Sequence, residues 1–375
     1  MRQKHIVTII ILALLLVMVG DFRINKVEMF GNYAKQMETD SMKELNNFQS
    51  PDFDSKHADK NINMNIPKKD FDSLFMKNSM GSINIIGEKR KDIEVKANII
   101  VYADTVNRAQ EFLSELELTK EITNENILEI KLPKKIIPED INGVKVNYNI
   151  KAPQELVLNL NNNFGPLSVE DFNNKVILSN YYDKLTVKDI KGPANLKAKY
   201  GGMYVNKIEN DAEIEVDYSK TDIRNIKGNL NLKSSFSETS IEEIEGKIDI
   251  TGKYGGVNAK RINNDLNIKT RFSGIQLDNI DGNLKADLEY GECNINDFKG
   301  NADIKTEFAD INFIIAEEVK GLKVDGSSEY GNINTNLPLK VSSQNNIKKI
   351  SGQTGNGEYN IKIKSKHGDL LINKR

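Results

Sequence analysis

The sequence is poor in the residues that usually carry chemistry or covalent stability. One cysteine, Cys293, in 375 residues excludes an internal disulfide framework. Its place in an apolar column reads as a small buried hydrophobe rather than a reactive thiol. The three histidines, His5, His57 and His367, are too scattered to give any pair with metal-ligand spacing, and no zinc-protease helix motif occurs. There is no nucleophile-elbow pattern and no phosphate-binding glycine loop. Asp278 to Gly282 has neither the ligand spacing nor the closing glutamate of a calcium loop. Charge of one sign is also missing: 52 Lys and Arg against 54 Asp and Glu leave a formal charge of −2, interleaved along the chain. Such a balance gives no footprint for nucleic acid. No catalytic, cofactor-binding or metal-ligating set is expected.

What the sequence does have is a count. Phe164, Tyr182, Tyr200, Tyr218, Phe236, Tyr254, Phe272, Tyr290 and Phe308 follow one another at 18 residues, and a longer step of 22 leads to Tyr330. A fixed period near 20 residues means stacked structural units. Numbering each module from its aromatic, positions 4 and 6 are mostly apolar (Leu185 and Val187, Ile275 and Leu277) and position 9 always is, from Phe172 and Ile190 to Phe298. Positions 13 and 15 are mainly aliphatic, as in Leu230 with Leu232. Period-2 alternation over so few residues predicts two short strands per module, each with one buried face. Position 11 holds only Gly or Asn: Asn174, Gly192, Asn210, Gly228, Gly246, Asn264, Gly282 and Gly300. Those residues suit a corner of positive φ. Small residues after the aromatic, such as Gly201 and Ser237, suit a second corner.

The module fits one coil of a solenoid, half of a 36-residue coil, or a hairpin of an antiparallel meander. Charge decides among them, because opposite charges on adjacent strands stabilise. Wherever successive entries at positions 7, 10 and 16 are both charged, their signs differ: Lys191, Glu209, Lys227 and Glu245 alternate, as do Lys197, Glu215 and Lys233. Position 18 breaks the rule at Lys253 with Arg271 and at Glu289 with Glu307. The expectation is an all-β, parallel, right-handed solenoid with 18-residue coils, and the antiparallel meander is the alternative. Nine rungs would stand roughly 43 Å tall. The aromatic column is expected as an internal stack of rings with tyrosine hydroxyls at the edge; a sugar-stacking ladder is the alternative. Tyr204 is an exposed outlier.

Around the repeats, Arg2, Lys4 and His5 precede the uncharged run Ile6 to Gly20. This reads as a signal anchor, or a signal peptide, over residues 1–22, with membrane contact through 6–20 and the remainder outside the cytoplasm. Residues 23–62 read as a polar spacer. Residues 63–163 read as a β region with a helix near Val106, Ala109, Leu113 and Leu116, N-capped by Asp104 or Thr105, that covers the end of the rungs. The repeats occupy 164–330 and a C-terminal cap 331–375.

The opening Gly81-Ser82-Ile83-Asn84-Ile85, the helix-bearing middle, the segment Val146-Asn147-Tyr148-Asn149-Ile150-Lys151-Ala152-Pro153 and the aromatic-Gly corners together resemble the bacterial putative-adhesin, or toast-rack, domains of unknown function. The resemblance covers about residues 63–375. It implies a β-solenoid, often attached to a membrane and sometimes linked to envelope-stress signalling, and it offers no catalytic residues. The resulting expectation is a non-enzymatic ectodomain that binds an envelope protein or glycan, adhesin-like or sensory. The alternatives are a polysaccharide-active enzyme using Asp287 with Asp303 or Glu242 with Glu243, and a purely structural spacer.

Overall fold

The alternation of buried and exposed side chains is realised as strands almost throughout. A computed structural model describes residues 55–123, 126–132 and 137–375. The expected anchor and most of the expected spacer lie outside the described residues. Residues 54–375 form one compact unit, all-β apart from the helix Val106–Ser114 and not a closed barrel. Among the described residues no helix is long and apolar enough to cross a membrane.

Each repeat strand lies parallel to the one 18 residues away. Val176–Tyr181 pairs with Val157–Phe164 on one side and with Ala194–Lys199 on the other, Leu178 facing both Leu160 and Leu196. Leu185–Ile190 does the same between Leu167–Phe172 and Gly202–Ile208. One sheet is thus built from module positions 13–18 and the other from positions 4–9. Where Ile248–Ile262 lies along Leu266–Asp281, single strands run unbroken from one sheet into the other. The inward side chains of both sheets form one apolar core that extends from Ile66 to Ile372.

Positions 4, 6 and 9 all face inward although strict alternation would put 8 there. The backbone explains it: position 8 is left-handed in eight consecutive modules, at Asp171, Asp189, Lys207, Asn225, Glu243, Arg261, Asn279 and Asp297. The turn at 8 swings position 9 into the core, so Val187 and Ile190 are both fully buried.

The ends of the stack depart from chain order. Ser73–Met80 lies between Ile127–Lys131 and Val157–Phe164, and Ile83–Glu88 lies between Ile141–Pro153 and Leu167–Phe172. The two segments that carried the family resemblance are therefore neighbours: Ile83 faces Tyr148, and the Tyr148 N–H donates to the Ser82 carbonyl at 2.7 Å. Beyond them the pairing turns antiparallel, Ile141–Pro153 to Asp92–Ala103 and that to Lys56–Pro67. Among the described residues strand structure begins at Lys56, inside the segment read as spacer. The helix starts at Thr105, whose hydroxyl accepts from the Arg108 N–H, and buries Ala109, Phe112 and Leu113. Val106, expected inside, is exposed.

At the other end only part of the expected cap, 331–375, closes the stack, and its last two strands are inserted between others. Tyr359–Ser365 is inserted between Ala302–Phe308 and Leu322–Ser328, and Leu370–Lys374 between Ile311–Ile315 and Ile333–Thr335. The stack is closed instead by the antiparallel pair Lys340–Gln344 and Ile347–Thr354, the latter lying on Leu322–Ser328. Parallel pairing therefore describes the rungs, and antiparallel pairing closes both ends.

Candidate binding surface

The aromatic column forms a continuous stack. From Phe164 to Phe308 successive ring centroids lie 4.6–5.2 Å apart with planes within 20° of parallel. That spacing is the strand spacing of a sheet. The next ring is His367, 4.7 Å from Phe308, and Tyr330 follows at 4.6 Å. The step of 22 to Tyr330 thus spans two rungs, and the inserted C-terminal segment supplies the ring between. Eleven rings run roughly 48 Å along the stack.

The rings are not internal. Tyr182 is 42% exposed, Tyr218 45% and Tyr330 55%. The aromatic residue is itself left-handed at Tyr182, Tyr200, Tyr218, Phe236, Tyr254 and Phe272. This conformation turns the chain at the corner and leaves the ring on the outer edge. Interior space beside the corner is filled by position 17, where Asn78, Asn162 and Asn180 are buried and bonded in series at 3.0 and 3.2 Å. At the far end the same place holds Ser234, Thr270 and Thr306. A sugar binds an aromatic by its face, and here the faces are used by neighbouring rings, leaving their rims to solvent. The geometry therefore opposes the sugar-stacking alternative along the column. Tyr204 is half-buried, with the Lys184 ammonium 5.8 Å from its ring centroid.

The corner glycines have a different reason from the one expected. Of Asn174, Gly192, Asn210, Gly228, Gly246, Asn264, Gly282 and Gly300, only Gly300 has positive φ. The others are small because coils touch there: a Cβ on Gly246 would meet the Gly228 carbonyl oxygen at 2.2 Å. The asparagines use their side chains instead, Asn174 and Asn264 each donating to a carbonyl on the preceding coil at 3.0 and 3.2 Å.

Outer charges meet across rungs. Lys197 reaches Glu215 at 2.9 Å, Lys299 reaches Asp281 at 2.8 Å and Lys227 reaches Glu209 at 3.9 Å. The hydrogen bond to Asp281 raises the Lys299 pKa. At Lys199 burial is the largest influence and opposes the charge, but the hydrogen bond and negative charge of Asp217, together with Tyr200, outweigh it and the pKa rises. Of the carboxylates considered for catalysis, two are held by cations and two stand in register with them. Glu242 is bonded to Arg224 at 3.4 Å and to Arg261, which also holds Glu243 at 2.9 Å. Asp287 faces Lys269 and Lys305, and Asp303 faces Lys285 and Lys362. Among the described residues no group of three or more His, Cys, Asp or Glu is placed to hold a metal.

A depression of 580 Å³ lies on the outer face of the sheet built from positions 13–18. Lys233, Lys253, Lys269 and Arg271 wall one half, and Asp287, Glu289 and Glu307 the other. The two like-charged pairs at position 18 that break the sign rule, Lys253–Arg271 and Glu289–Glu307, both line it. An adjoining hollow of 360 Å³ shares Lys269 and Asp287 and includes Asp303. Sequence reasoning noticed the exceptions and missed their meaning, because position 16 and position 18 read separately hide that they share one concave surface.

Among solved structures, the chain is similar to a "putative cell adhesion protein" from Clostridium sporogenes ATCC 15579, at 14% identity over 85% of this chain and 100% of that one, with a TM-score of 0.18. It is similar to a "putative adhesin" from Parabacteroides distasonis ATCC 8503, at 14% identity over 68% and 96% with a TM-score of 0.34. A "putative adhesin" from Bacteroides fragilis NCTC 9343 matches at 11% identity over 84% and 97%, with a TM-score of 0.25. No curated protein matches the chain. The family model of Toastrack DUF4097 matches residues 118–373, which is more than half of the sequence and includes every repeat. The chain belongs to the Toastrack DUF4097 family.

Proposed function

We propose that this protein is a non-enzymatic binding module, adhesin-like or envelope-sensing, carried outside the cytoplasm by an anchor at residues 6–20 on a right-handed stack of 18-residue coils. One observation carries the reading. The acids that a catalytic site would use are held by or face cations on neighbouring strands, while the broad outer face keeps a charged hollow open. Rigid rungs bearing a wide polar surface suit recognition, which needs area and register, more than bond cleavage, which needs convergent groups in one pocket.

The test uses intact cells and the full chain. Cys293 is buried, so Asn231→Cys, at an exposed position of the sheet that bears the hollow, supplies the reactive thiol. It is expected to react with a membrane-impermeant maleimide in unbroken cells, and cross-linking from the same site is expected to capture an envelope component. Labelling only after lysis would overturn the extracytoplasmic placement. Release of sugars from a glycan panel, abolished by Asp287→Asn with Asp303→Asn, would replace the binding module with an enzyme.

A further inference from the structure

Lys197, Lys227 and Lys299 form ion pairs with acids on a neighbouring rung; three lysines in the basic half of the large hollow form none among the described residues, although Glu215 and Asp287 stand in register with Lys233 and Lys269. Thr251 lies at its centre. Lys233 faces Thr251 from one neighbouring strand and Lys269 from the other. Lys253 stands two residues along the same strand, on the same outer face. Among the described residues none of these three lysines has an ion-pair partner within 4.0 Å, and all three are exposed. Arg271, beside Lys253 in register, is engaged by Glu289 at 2.6 Å.

We propose that Lys233, Lys253, Lys269 and the Thr251 hydroxyl form a binding site for a phosphodiester group of a soluble anionic polymer in the cell envelope. This rests on the binding-module reading above and names the ligand class of that surface. The two facing lysines stand one strand spacing either side of Thr251, so about 9.6 Å separates their backbones. Lys253 is displaced by about 7 Å along the strand. Compact ammonium groups then approach one centre from three directions, and a hydroxyl donor completes it. A tetrahedral phosphate offers oxygens in as many directions. A planar carboxylate is matched best by a guanidinium fork, and the guanidinium here is already engaged by Glu289. The wall of Asp287, Glu289 and Glu307 repels a second anion farther along, so one anionic group seats in the basic half. Ser235, Thr251 and Gly252 leave the rim polar, and Leu288 in the lining is buried, so the lining exposes no apolar side chain to enter a bilayer, which favours a soluble polymer over a lipid headgroup.

The experiment is calorimetric titration of the full chain in detergent with poly(glycerol phosphate). Polygalacturonate, phosphatidylglycerol vesicles, inorganic phosphate and single-stranded DNA are parallel arms. The polymer is expected to bind best, inorganic phosphate is expected to compete, and raised salt is expected to weaken both. A charge-assisted contact contributes about 1.5 kcal/mol or more, so Lys253→Ala is expected to weaken polymer binding about tenfold. Lys233→Ala with Lys269→Ala should weaken it further, and Lys299→Ala, which breaks the ion pair with Asp281 away from the hollow, should leave it unchanged. Equal affinity for wild type and the Lys233, Lys253 and Lys269 variants would overturn the site. So would tighter binding of DNA, polygalacturonate or vesicles than of the phosphate polymer. If those variants still capture an envelope component in the cross-linking experiment with undiminished yield, the binding module stands and the phosphate site falls.

Discussion

Two residues of every module shape its path, and neither was legible as such. Position 8 carries Asp, Lys, Asn, Glu or Arg with no common chemistry, yet it is left-handed in eight successive modules. A left-handed conformation costs a non-glycine residue about 1–2 kcal/mol. It persists because burial of position 9 offsets it, a fully buried Ile being worth about 1.5–3 kcal/mol. The trace of this in the sequence is the apolar spacing 4, 6, 9 in place of 4, 6, 8. The Gly and Asn column was legible as a corner, but its cause is contact between coils, which a single module read alone cannot display. Cys293 was legible as a core residue, and burial pushes its thiol up to about 12 from an ordinary value of 9.0. A thiol raised in the folded state keeps its full contribution to stability below the unfolded value and loses it as pH climbs to the folded one. Native protein is therefore expected to resist alkylation at pH 8, and its unfolding free energy is expected to decline between about pH 9 and 12. Measurement by thiol titration and by denaturant midpoints across that range checks both; rapid native modification would contradict the burial argument.

Among the elements, the strands and their register were legible because period 2 and period 18 act together. Alternating charges added the parallel pairing of neighbours 18 apart. The ladder's position was not, since the count tells which rings meet but not on which side of the corner they stand. That side is decided by position 17, whose buried Asn78–Asn162–Asn180 series takes the interior. Asn162 and Asn180 keep the same count, so the signal was present; Asn78 joins them only through the rung order. Stacked pairs contribute about 0.5–1.5 kcal/mol each beyond burial. Phe236→Ala removes two of them, and a loss of about 1–3 kcal/mol is expected. Tyr330→Ala removes one, with His367, and should cost about half as much. Thermal unfolding of the two variants compares them directly, and equal losses would mean that stacking contributes little at this edge.

For the whole molecule, the repeat region was legible and the ends were not. Repetition announces itself in one dimension, whereas an inserted rung depends on contacts between distant segments that share no period. His367 illustrates this: read as an isolated histidine of the tail, it is the tenth ring of the ladder. A chain shortened after residue 355 loses both inserted strands, leaving Ala302–Phe308 and Leu322–Ser328 without their common neighbour. Residues 302–354 are then expected to lose hydrogen-exchange protection while 164–290 keep theirs; unchanged protection at Ile304 and Phe313 would show that the insertion is dispensable. The same insertion bears on mechanics. A strand at the margin of a sheet peels away one bond at a time under tension, but Tyr359–Ser365 is gripped along its length from both sides. A pull on residue 375 directed along these strands is shared by many bonds in shear at once, so the tail fastens the stack like a tongue in a groove.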